Sequence, residues 1–366
     1  MRVAILVPVL AVIIGVIIVA KKREKIDFSS VYESAFDKRY ERAGLKDFQD
    51  IFQKYAEYEF EKVLSPLSIY AFDKTVFIYD GSRAVVERYN LLTQKLADSY
   101  FRKGKGEGEI LSGTLSISSN KKHLLFNDIQ QNRISILDVK DKNLKTIVLK
   151  YAPGSSTLFN DKLYFRSFYL NGLVAELDEK GNIVRELKLK ISEDSTLNFG
   201  TQGGMTLQND LILVSFRYST QIYAYSLTGD SVLFIADTPI SIPIPKPYFE
   251  KSGNRVTYTT NPEKTIFANL DVKANDEFIF ALYSGGILGE AKSLTDILFT
   301  ENAKVINIFS IKDGNYICSA KLSAFVKSFD IQDNKLYAIT NLNENELTKV
   351  LVYDIDVGKL REISKK

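Results

Sequence analysis

An all-β ring of about six four-stranded antiparallel blades, a β-propeller, is the fold this sequence predicts. Three observations carry that expectation. Short runs rich in β-branched and aromatic residues recur, each bounded by Asp, Asn or Gly turn chemistry. The runs group in fours with a period of about 40–50 residues. Tyr and Phe number 20 and 23 while Trp is absent, a composition that suits pleated, half-buried surfaces.

The clearest unit spans 68–109. It reads Ser68-Ile-Tyr-Ala-Phe-Asp73, Thr75-Val-Phe-Ile-Tyr-Asp-Gly81, Ala84-Val-Val-Glu-Arg-Tyr-Asn90 and a run from Lys95 to Arg102. It closes on Gly104-Lys-Gly-Glu-Gly-Glu109. Four short strands joined by tight turns make one blade. Less clear copies follow at 114–151, 157–191 and 205–236. A fifth is interrupted between 266–283 and 305–322, and a sixth runs over 326–363 with its last strand at 359–363. The second strands share an apolar, aromatic core, as in Val76-Phe-Ile-Tyr79, Leu163-Tyr-Phe165 and Phe278-Ile-Phe280. The propeller domain is therefore expected over 64–366.

Two segments precede it. Val3 to Ala20 is an uncharged apolar run of 18 residues within a segment 1–25, followed by Lys21, Lys22, Arg23 and Lys25. Its length is near the minimum for a membrane-spanning helix, and an uncleaved anchor is the favoured reading. A cleaved signal peptide, with Ile18 and Ala20 at positions −3 and −1, is the alternative. Segment 26–63 is expected to be a helical connector, because Phe48, Ile51, Phe52, Tyr55 and Tyr58 follow helical spacing. Alternatively, its end is extended and adds an outer strand that closes the ring, leaving no free edge there.

Composition narrows the function. A net charge of +3 argues against nucleic acid as a partner. One Cys and one His exclude an internal disulfide, multi-cysteine metal sites and His-cluster centres. No cofactor is expected. An axial calcium held by Asp, Asn and backbone oxygens is compatible with the fold, and no residue pattern calls for it.

The 68–109 unit resembles the bacterial six-bladed propellers related to NHL repeats and TolB-like proteins. The resemblance rests on Phe77-Ile-Tyr-Asp80, Arg88-Tyr-Asn90 and the glycine-rich loop ending in Glu109. It departs from their pattern at Glu107, where Pro is usual, and it covers one blade. It implies an exported or membrane-tethered bacterial protein with the propeller outside the cytoplasm, and little about chemistry. The positive-inside rule opposes that orientation, since more basic residues follow the apolar run than precede it.

Few residues suggest chemistry. The 104–109 loop superficially resembles a phosphate cradle, but a strand follows it where such loops need a helix, and two Glu would repel phosphate. His123 reads as a surface residue and Cys318 as a small buried hydrophobe. Asp73, Asp80, Asp138, Asp178 and Asp354 recur at strand ends and read as turn formers. Longer insertions fall at 192–204, 237–264 and 284–304, the second holding five of the chain's eight prolines. By blade topology all three emerge on one face, where they either mark the binding face or merely cap the central channel. The candidate binding residues on that face are Phe199, Tyr248, Phe249 and Glu290.

The favoured function is a membrane-tethered, extracytoplasmic module that binds a protein, peptide or glycan through this face. The alternative is a propeller lyase or hydrolase that acts on sugars or peptides with carboxylates. Clustered carboxylates at the central channel would favour the enzyme, and an aromatic or apolar rim would favour binding.

Overall fold

The computed structural model describes residues 48–365, apart from 119–121, 168–169, 171–172, 188–201, 229–230, 246–247, 253–254, 260, 262, 291–301 and 341–346; of the first 47 it describes 39, 40 and 45. The anchor at 1–25 and the connector's first part lie outside the described residues. Among the described residues no helix is long and apolar enough to cross a membrane. The chain divides into compact units 1–42 and 43–366, and the second is the propeller.

Its six blades follow the chain. Blade one is Pro66–Phe72, Thr75–Asp80, Val85–Asn90 and Lys95–Tyr100, and blade two is Gly113–Ile117, His123–Asp128, Arg133–Asp138 and Leu144–Val148. Blade three is Ser155–Phe159, Lys162–Arg166, Val174–Leu177 and Ile183–Leu187, and blade four is Met205–Gln208, Leu211–Ser215, Ile222–Ser226 and Val232–Ala236. Blade five is Ile266–Ala274, Phe278–Ile287, Ala303–Ser310 and Tyr316–Val326, with Phe48–Gln49 added in parallel on its outer edge. Blade six is Ser328–Gln332, Lys335–Thr340, Thr348–Ile355 and, as its outer strand, Phe52–Phe60. A hairpin, Tyr248–Ser252 with Arg255–Thr259, stands in the loop between blades four and five.

The apolar second strands are explained by packing on both of their faces. In Thr75–Asp80, Val76 and Ile78 join a core shared with blade six, while Phe77 and Tyr79 join one shared with blade two. Leu125 faces blade three, Tyr164 faces blade four, and Leu213 faces blade five. Blades five and six share the largest cluster, from Phe278 and Phe280 to Phe329 and Leu336. A strand buried on both faces loses the polar alternation of a half-exposed one and reads as a continuous apolar run. Six such cores, one between each pair of neighbours, close the ring.

Two expectations need correction. The connector is not helical over its last part: Phe52–Phe60 is a strand paired antiparallel with Thr348–Ile355, from Phe52 opposite Ile355 to Phe60 opposite Thr348. The alternative reading, an outer strand that closes the ring, is the one found, although it begins earlier than expected. The predicted last strand at 359–363 is instead a helix, Val357–Ile363, whose first turn is capped by the Asp356 carboxylate accepting from Lys359 N. Val357 and Leu360 bury at helical spacing against blades five and six. The propeller therefore begins with the strands near residue 48, not at 64.

Candidate functional site

Each inner strand ends in a short turn leading to the second strand. The pairs that close these turns start at Phe72, Ser118, Phe159, Gln208, Asn275 and Gln332. Two residues earlier, every blade therefore offers one equivalent position: Tyr70, Ser116, Thr157, Thr206, Lys273 and Asp330. All six line one cavity of about 360 Å³. Asp276, Glu277, Asp333 and Asn334, from the turns of blades five and six, line it as well and place its mouth on the short-turn face. That is the end opposite to the connection from blade four to blade five.

Charge is concentrated where blades five, six and one meet. The ammonium of Lys273 lies 2.5 Å from Asp271 Oδ1 and stands over the Tyr70 ring at 5.2 Å and the Phe329 ring at 5.8 Å. Burial of Lys273 favours the neutral amine, but Asp271 and Asp330 outweigh it, so the amine is held protonated above its ordinary range. Asp271 Oδ2 accepts from Ser328 Oγ at 2.6 Å and from Phe329 N at 3.2 Å. Asp330 Oδ2 accepts from Ala71 N at 2.9 Å. The Tyr70 hydroxyl donates to Leu115 O at 2.9 Å, and burial pushes its pKa up to about 12.

These bonds run from blade to blade. Asp271 ties five to six, Asp330 ties six to one, and Tyr70 ties one to two. Thr157 Oγ1 donates to Ile117 O at 3.4 Å, Arg166 donates to Ser215 O at 2.6 Å, and Asn269 donates to Ser219 O at 2.8 Å, which completes the circuit. Carboxylates are thus clustered in the channel, the arrangement expected of an enzyme, yet Asp271 and Asp330 are each engaged in joining neighbours. Asp276 at the mouth likewise accepts from Gln208 Nε2 at 2.8 Å. Among the described residues no group of three or more His, Cys, Asp or Glu could hold a metal ion. The counter-charge to Asp271 comes from Lys273.

The residues singled out in the sequence fall as follows. Tyr248 and Phe249 lie in the first strand of the inserted hairpin, and Glu290 ends a single helical turn, Leu288–Glu290. Phe199 lies outside the described residues. The proline-rich insertion is pinned where Ser219 Oγ and Thr220 N both donate to Ile242 O. In the 104–109 loop, the Gly106 N–H that would meet a phosphate is taken by Glu109's own carboxylate at 2.7 Å. Arg133 clasps the loop's carbonyls from beneath, and Gly108 supplies a φ of 69°. This is a structural turn.

His123 faces Asp138 at 3.6 Å across the second and third strands of blade two. Cys318 is buried in the core between blades five and six, and burial pushes its thiol up to about 12. Asp80, Asp138 and Asp178 accept from backbone N–H groups two to four residues on, the turn chemistry expected of them. Sequence reading passed over Lys273 and Asp330. Their signal was a charge within an apolar inner strand, visible only when all six blades are aligned on their turns.

No protein-family model matches the chain, and no curated protein matches it in sequence. Solved structures do share its fold. A Bacteroides fragilis protein named as exported is 13% identical, covering 85% of this chain and 99% of its own, with a TM-score of 0.56. A DUF4221 family member from Bacteroides vulgatus is 10% identical, covering 83% and 97%, with a TM-score of 0.55. At these identities the likeness establishes the architecture: the chain is a six-bladed β-propeller with bacterial propellers among its structural neighbours.

Proposed function

We propose that this chain is a binding module, tethered to the bacterial cytoplasmic membrane through Val3 to Ala20, with its propeller outside the cytoplasm. It captures a small polar ligand at the short-turn mouth of its axis. The long-loop face, with Phe199, Tyr248, Phe249 and Glu290, is kept as a separate surface for a protein or peptide. The NHL-like or TolB-like character of 68–109 and a structural neighbour named as exported support the location.

One observation carries the binding reading over the enzyme: the inner ionisable groups of the cavity are already engaged, Lys273 with Asp271 and Asp330 with the Ala71 N–H. A lysine held protonated between carboxylates is a poor base or nucleophile. A carboxylate already accepting from the neighbouring blade is poorly placed to shuttle protons. A polar pocket with fixed donors and acceptors still selects a ligand.

Two measurements test the proposal. Protease added to intact spheroplasts digests the propeller if it lies outside; protection until lysis would put it in the cytoplasm. Full-length protein in detergent, exposed to a small-molecule extract and examined by native mass spectrometry, retains a ligand whose mass is unchanged. Conversion of that ligand to a product, or no retained molecule, would overturn the binding reading.

A further inference from the structure

We infer that the axial cavity is a saccharide site, taking an uncharged or amino-substituted mono- or disaccharide and rejecting anionic sugars. The inference rests on the binding-module reading and gives it a ligand class. Its size fits: about 360 Å³ lies at the low end of the roughly 300–1,000 Å³ typical of small-molecule sites.

Hydrogen-bond chemistry narrows the class. Around one ring the wall presents a pure donor, Lys273, a pure acceptor, Asp330, and the hydroxyls of Ser116, Thr157 and Thr206; Ser116 Oγ already accepts from Asn127 Nδ2 at 3.1 Å and Thr157 Oγ1 donates to Ile117 O, which leaves each part of its capacity. Gln208 and Asp333 repeat the mixture at the mouth. A ligand with only acceptors or only donors matches part of this wall and leaves the rest without a ligand partner. Sugar hydroxyls both donate and accept, so a polyol uses the wall's remaining donors and acceptors alike. Beside Thr157, Ser156 also lines the cavity, is 0% exposed, and its Oγ has no hydrogen-bond partner. Met205, Leu207 and Ile331 supply apolar wall for a sugar's C–H face.

Charge excludes the acidic sugars. Among the described residues the lining carries one cation, Lys273, against Asp276, Glu277, Asp330 and Asp333. Glu277 is neutralised by Arg361, which donates to both its oxygens at 2.7 and 2.6 Å. The remainder is still net negative, and Lys273 already faces Asp271. A phosphate or carboxylate entering this mouth meets like charge, whereas an ammonium meets Asp333 first.

Isothermal titration of the full-length protein in detergent tests this with glucose, galactose, glucosamine, maltose and lactose, against glucuronate and glucose 6-phosphate. At least one neutral sugar or glucosamine gives saturable heat, and the two anions give none. Thr206→Val removes one ring hydroxyl and weakens that binding about tenfold, the scale of one hydrogen bond. Asp333→Asn abolishes any preference for glucosamine over glucose. Asp333 is exposed and Thr206 half-buried, so both variants should keep the wild-type melting temperature, which is measured alongside. Saturable heat with none of the neutral or amino sugars, equal binding of the anions, or binding indifferent to Thr206→Val would each overturn the assignment. If the titrations fail while native mass spectrometry still finds a retained ligand, only the saccharide class falls; if neither finds one, the binding module falls with it.

Discussion

Asp80 shows how a single side chain holds a blade to its neighbour. It ends the second strand of blade one with its side chain wholly buried. Its Oδ2 accepts from Leu64 N at 2.8 Å, in the segment arriving from blade six, and from Arg83 Nε at 2.8 Å. Arg83 in turn donates to both oxygens of Glu87, and Tyr89 adds its hydroxyl to Glu87 at 2.6 Å. Burial alone would raise the Asp80 carboxyl; the Leu64 N–H, Arg83 and Ser82 outweigh it and hold it below the usual carboxylate range. A depressed folded-state pKa contributes stability above the unfolded value, near 3.9, and loses it as pH falls through the folded value. Asp80→Asn should therefore cost about 2–3 kcal/mol at pH 7, less than a fully buried broken pair because Arg83 is partly exposed. The gap in denaturant midpoint between the two proteins should shrink below about pH 4. A gap that is constant with pH would refute the ionic account. Cys318 offers a second residue-scale check: with its thiol buried and pushed up to about 12, it should react with a thiol reagent only after unfolding. Fast labelling of the native protein would show that blade five opens locally.

Among elements, the strand Phe52–Phe60 matters most, because it supplies the outer edge of blade six from the other end of the chain. Phe60 enters the core between blades six and one, with Ala56 and Tyr58 packed against it. Glu57 and Glu59 reach Lys349 at 2.7 and 3.1 Å. A chain starting at Phe48 keeps this closure and should fold with the wild-type melting temperature. A chain starting at Pro66 exposes the edge of Thr348–Ile355 and should aggregate or melt far lower. Equal stability of the two would mean that the strand is decoration. This element was also where the sequence misled. Phe48, Ile51, Phe52, Tyr55 and Tyr58 sit at helical spacing, yet the same stretch pairs as a strand with a bulge between Lys54 and Ala56, and pairing with a partner nearly 300 residues away leaves no local signature. At 359–363 the reverse happened: the run expected to be the last strand of the sixth blade is a helix, capped at Asp356 and burying Val357 and Leu360. The interior strands were legible because burial on both faces writes a continuous apolar run. The cavity was not, since Tyr70, Lys273 and Asp330 become neighbours only when the ring closes.

At the scale of the whole molecule, stability is shared around a circle. Every core belongs to two blades, as Phe77 does to one and two and Leu213 to four and five, and the blade-to-blade hydrogen bonds repeat the same pairing. A linear repeat array can lose a terminal unit while the rest persists. A ring cannot do so cheaply, because removing any blade uncovers two cores at once. Blade six adds a further constraint, being built from both ends of the chain, so that opening it separates residues that the sequence places farthest apart. The propeller should therefore unfold in one cooperative transition despite its size. Phe77→Ala should cost about 3–5 kcal/mol and Leu213→Ala about 2–5 kcal/mol. Placed in cores on different sides of the ring, both should lower the same single transition, seen by tyrosine fluorescence and by far-UV circular dichroism, with its denaturant slope unchanged. If one substitution instead split the curve into two steps, the blades would be unfolding in groups and the ring would be closed in geometry but not in energy.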